Sequence, residues 1–87
     1  MNEREILDEL LHLLEENGVK IRSEPLGGNG GGLCTIKGEH LFFVDTQAPA
    51  GETAALCAEA VAKLIDTESV YIKPQVRQFV ENMADKE

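Results

Sequence analysis

The sequence predicts an α+β domain in the order α-β-β-β-α-(short β)-α, with helices packed on a small, mostly antiparallel sheet. Three observations carry that expectation. A leucine stripe at helical spacing lies between residues 6 and 14, two apolar runs flank Gly38, and two later helical periods begin beside Pro49 and Pro74. The 87 residues are too few for two cores, so residues 1–87 are read as one domain with residues 85–87 frayed.

The first helix is expected from Glu3 to Asn17. Asn2, with Glu5 three places on, makes a capping box, and Gly18 supplies a left-handed stop. Ile6, Leu7, Leu10, Leu11, Leu13 and Leu14 share one apolar stripe. The acids of this helix and His12 then form a solvated face. Val19–Ser23 alternates apolar with polar as a half-buried strand does, and Pro25 with the glycine run closes it.

Leu33–Lys37 and His40–Asp45 read as a hairpin around Gly38-Glu39, with Ile36 brought nearer to His40 than Cys34 is. Four apolar residues in a row, Leu41 to Val44, place the second of these strands at the centre of the sheet. A second helix is expected over Ala50–Ile65, burying Cys57, Ala60, Val61 and Leu64. Val70–Ile72 is a short extended piece, and Pro74 opens a third helix that buries Val76, Phe79, Val80 and Met83. The far face of the sheet needs a cover. Helix three and a second copy of the chain are both open as that cover.

A composition of 43% hydrophobic and 28% charged residues excludes collagen-like and disordered chains. No apolar run is long enough to span a bilayer, and the chain opens Met-Asn-Glu-Arg-Glu, so a cytoplasmic protein without a membrane partner is expected. The net charge of −8 argues against nucleic acid as a partner. Only between residues 19 and 40 does the balance turn positive, where Lys20, Arg22 and Lys37 outnumber Glu24 and Glu39.

Candidate chemistry centres on the glycine run of residues 27–32. Gly27 and Gly32 have the outer spacing of a Walker A loop, but Leu33-Cys34 stands where Lys-Ser/Thr is required. The dinucleotide pattern fails at position 33, and both motifs need a helix where a strand is read. Two readings stay open: a mobile connection between strands, or bare backbone approached by a partner or ligand. The candidate binding residues are Gly28, Asn29, Gly30 and Gly31, with Arg22, Lys37 and His40 as polar contacts for an acidic group.

Cys34, His40 and Asp45, joined by Glu59, form the candidate set if the protein is an enzyme. Cys34 and Cys57 lie 23 positions apart with no CxxC, which fits neither a zinc site nor a thioredoxin-like motif. Two reduced, buried thiols are expected, with a disulfide or redox pair and a reactive thiol as alternatives. No metal site and no cofactor are expected.

The segments Glu24-Pro25-Leu26-Gly27-Gly28, Gly31 to Gly38, Leu41 to Asp45 and Val70 to Pro74, with Val76-Arg77, resemble a family of short bacterial proteins of unknown function. That resemblance implies a housekeeping or regulatory role in bacteria and supplies no activity. The strand, glycine turn, strand, helix order is also similar to the core of small zinc peptidases, whose helix carries HExxH. The corresponding residues here are Ala58-Glu59-Ala60-Val61-Ala62. Both ligand positions are alanine and only Glu59 matches, so this similarity implies at most a metal-free relative.

The leading expectation is a non-enzymatic interaction or regulatory module with an unidentified protein partner. It would use exposed backbone donors of the glycine loop and the edge of the adjoining hairpin. A homodimer is open. The competing classes are a small ligand-binding protein or enzyme, and a subunit of a larger complex.

Overall fold

Asn2 fixes the point at which the chain becomes helical. Its side chain accepts a hydrogen bond from the Glu5 backbone N–H at 2.9 Å, and the Glu5 carboxylate accepts one from the Asn2 N–H at 3.1 Å. Two otherwise unpaired donors are thereby satisfied. In the computed structural model, which describes residues 1–84, helix α1 runs Glu3–Glu16 and the chain turns away at Gly18, φ +86°. Leu7, Leu10 and Leu14 are buried, and Ile6, Leu11 and Leu13 pack at the margin of the core. The expected fraying of residues 85–87 falls outside the described residues.

The sheet holds β1 (Lys20–Glu24), β2 (Gly32–Ile36) and β3 (Glu39–Asp45) in the spatial order β1-β3-β2. β3 is central, as its continuous apolar run predicts. It pairs antiparallel with β2 and parallel with β1. The sheet is therefore mixed, where a mostly antiparallel one is expected. β1 and β2 run in opposite directions but do not pair. β3 enters between them, which leaves it parallel to β1.

The hairpin register differs by one residue from expectation. Lys37 and Gly38, at φ +51° and +80°, form a two-residue turn, so Ile36 faces Glu39 and Thr35 faces His40. Positive φ at both turn residues matches the natural twist of the two strands, and Gly38 adopts it without a Cβ clash.

Helices α2 (Ala50–Leu64) and α3 (Pro74–Ala84) complete the fold. α2 is buried over a wider arc than its expected stripe, taking in Thr53, Ala54 and Ala58 as well as Cys57, Ala60 and Val61. Its small residues let α1, α3, β2 and β3 all pack against it. Leu64 is only half-buried.

α3 packs on α1 and α2 and reaches no strand, so it does not cover the far side of the sheet. Val70–Ile72 forms no strand either, correcting the expected short β element. Instead the segment sets Ile72 into the core, 5% exposed, and Lys73 reaches Glu9 of α1 at 2.7 Å.

Candidate functional site: the open sheet face and its glycine loop

Strand alternation divides the sheet into two unlike faces. Ile21, Leu33, Phe42 and Val44 point toward the helices and join the core. Cys34, Ile36, Leu41 and Phe43 have the opposite parity and lie outside that core; Ile36 is 49% exposed. Among the described residues, no helix lies over this second face.

Asp45 ends β3 on the parity of Leu41 and Phe43, yet it is only 1% exposed. Its Oδ1 accepts from the N–H groups of Leu26 at 3.0 Å and Gln47 at 2.9 Å, and its Oδ2 accepts from Gly30 N–H at 3.0 Å. Burial pushes the carboxyl pKa up, but these backbone donors and that of Gly28 outweigh it and hold the group below the ordinary carboxylate value. Gln47 adds a second anchor, its Oε1 accepting from Gly27 N–H at 2.7 Å.

The glycine loop is therefore latched to the end of β3 by hydrogen bonds from Leu26, Gly27 and Gly30. The N–H groups of Gly27 and Gly30 are hydrogen-bonded inside the chain, to Gln47 and Asp45, and that of Gly28 lies near enough to Asp45 to lower its pKa. Asn29 is exposed at the loop tip and its side chain donates to the Leu26 carbonyl at 3.4 Å. Gly31 is required for a different reason. A Cβ there would sit 1.8 Å from the Phe43 carbonyl oxygen, so only glycine lets the loop lie against β3.

The candidate nucleophile set is not assembled. Cys34 is paired with Leu41 on the open face, whereas His40 shares the opposite parity with Phe42 and its Nδ1 lies 3.0 Å from Thr35 Oγ1. Asp45 stands five residues along β3 from His40, roughly 16 Å at the rise of a strand, and on the other face. Glu59 is exposed on α2.

Cys57 is fully buried, and burial pushes its thiol up to about 12. Both cysteines are free, with Cys34 on the open face and Cys57 in the core. Among the described residues, no group of three or more His, Cys, Asp or Glu side chains is placed to hold a metal ion. No described helix is long and apolar enough to cross a membrane.

The polar candidates separate likewise. Arg22 belongs to the open face beside Phe43 and pairs with Glu24 at 3.0 Å, while Lys20 pairs with Glu39 at 3.3 Å. Lys37 is exposed at the hairpin tip, and His40 lies on the wrong side to join them. His12 is exposed, 3.7 Å from Glu16, as a solvated residue should be.

A shallow depression of about 410 Å³ opens between loop and hairpin, lined by Leu26, Gly30, Gly31, Gly32, Leu33, Cys34 and Phe43. A larger opening of about 640 Å³ follows β1, but Glu15, Lys20, Arg22 and Glu39 make its walls charged. Leu41, Phe43 and Ile36 were not among the sequence candidates. The signal for Leu41 and Phe43 was present in β3, whose apolar residues occupy both parities where a sheet with one wet face alternates.

Comparison with protein-family models, with curated proteins and with solved structures finds no match to this chain.

Proposed function

We propose that this chain is a non-enzymatic interaction module that docks a protein partner on the open face of its sheet. The observation that carries the reading is that, among the described residues, α1, α2 and α3 all lie away from that face, which leaves Cys34, Ile36, Leu41 and Phe43 as a contiguous apolar surface. The latched loop contributes shape. Its glycines and Leu26 wall the depression in which a partner's apolar side chain would sit, with Phe43 as the floor. Arg22 and Lys37 stand at the margin and suit carboxylates bordering that side chain.

The test uses the purified chain as bait for extract of its host, beside Phe43→Lys. A protein held by the wild type should cross-link to the Leu41–Phe43 face and bind the variant at least thirtyfold more weakly, about 2 kcal/mol. The variant's circular dichroism and melting should be unchanged. Equal retention by a folded Phe43→Lys protein would remove the open face as the docking surface.

A further inference from the structure

We infer that β2 is a self-association edge, which pairs antiparallel with β2 of a second copy and joins the two sheets into one of six strands. This edge borders the open face, sharing Cys34 and Ile36 with it but not Leu41 or Phe43, and it is defined by the backbone. In a two-residue hairpin the residues flanking the turn exchange both hydrogen bonds, so Ile36, Cys34 and Gly32 direct their backbone groups at β3. Leu33 and Thr35 consequently direct N–H and C=O out of the sheet.

The sequence of β2 is self-complementary in one register. With Cys34 on the two-fold axis, Leu33 faces Thr35 of the second copy, and the two such pairs exchange four backbone hydrogen bonds. Cys34 then faces its own copy, with Cα atoms roughly 4.5 Å apart. Ile36, the exposed apolar residue of the strand, faces Gly32, which has no side chain to obstruct it. Shifting the axis to Thr35 brings the turn residue Lys37 into the ladder. Shifting it to Leu33 brings in Gly31, which is held against Phe43. Only the Cys34-centred register keeps all five residues of both strands in the pairing.

Charge selects the same edge. The chain carries −8, so two copies repel at long range, and contact is least opposed where neither presents a charge. β2 has no charged residue among its five, whereas β1 has Lys20, Arg22 and Glu24 and is followed by Pro25. Charged side chains and proline are the usual means of closing an edge strand.

The test combines sedimentation equilibrium of the intact protein with amide hydrogen exchange at two concentrations. A dimer of the 9.5 kDa chain is expected, with Leu33 and Thr35 amides protected only at the higher concentration and Ile21 and Ser23 exchanging freely at both. Ile36→Lys should weaken the dimer at least tenfold. Mild copper–phenanthroline oxidation should cross-link copies through Cys34, and Cys34→Ser should abolish this. A monomer throughout the micromolar range, or a dimer that leaves Leu33 and Thr35 unprotected, overturns the inference; because exchange is read on the wild type, a misfolded variant cannot decide the result. Phe43→Lys should dimerise normally. A dimer that loses no partner through Phe43→Lys therefore counts against the proposed docking function and not against the β2 pairing.

Discussion

β1 and β2 are edge strands of the same length on the same central β3, reading Lys-Ile-Arg-Ser-Glu and Gly-Leu-Cys-Thr-Ile. Each leaves two residues with backbone groups turned outward. On β1 these are Ile21 and Ser23, because Thr46 N–H donates to the Glu24 carbonyl at 3.0 Å and sets the alternation of that parallel ladder. The difference lies in the neighbours. The outward groups of β1 are flanked by three charges, and those of β2 by Cys34, Ile36 and a glycine. An edge is thus opened or closed by its flanking side chains and not by its backbone.

The sharpest way to break the contrast is to unseat β2. Gly31→Ala places a Cβ on the Phe43 carbonyl and should destabilise the fold by about 3 kcal/mol or more, read from urea unfolding. Gly51→Ala is the control. Its Cβ meets the Glu3 carboxylate, the movable end of an exposed side chain, and should cost well under half as much.

Removing the latch is the next largest perturbation. Asp45→Asn keeps the shape but loses acceptor capacity for the donors of Leu26, Gly28, Gly30 and Gln47, so the urea midpoint should fall further than for Asp66→Asn. Asp66 is exposed, with Ser69 and the Glu68 N–H holding its pKa down. The pH dependence carries a definite sign. A carboxylate whose folded pKa lies below its unfolded value contributes stability in full above that unfolded value, near 3.8, and loses it as pH falls through the folded one. Asp45→Asn should flatten that part of the acid-unfolding profile.

The mildest change to the fold sharpens the comparison most directly. Lys20→Thr with Arg22→Val strips β1 of its cations at exposed positions, and folding stability should move by no more than about 1 kcal/mol. With both edges open, sedimentation should show species beyond a dimer. A double variant of unchanged mass would show that the charges on β1 do not close it.

Much of the fold was legible because its signals are local. The Asn2–Glu5 box, the leucine stripe, Pro49, Pro74 and the apolar run of β3 each specify an element within a few residues. The failures involve partners distant in sequence or without side chains. Nothing near β1 announces that β3 will insert beside it. The hairpin register turned on Lys37 accepting a positive φ, which glycine-based reasoning moved one residue along. Asp45 was legible as an acid of interest, but its partners are backbone N–H groups, which every residue except proline carries. The glycine run therefore suggested exposed donors or a slack connector, whereas the N–H groups of Gly27 and Gly30 are taken by Gln47 and Asp45.

The latch also bears on the order in which the chain assembles. The β2–β3 hairpin closes over two residues and needs nothing else, so it can form on the microsecond scale of isolated hairpins. β1 must then fold back across residues 25–31 to dock parallel to β3, and the Asp45 bond to Leu26, 19 residues away at the end of β1, is made when it arrives. A contact made that late stands behind the folding barrier. Its loss should leave the folding arm of a chevron nearly unchanged and raise the unfolding arm at constant slope, making Asp45 a timer for how long the folded molecule lasts.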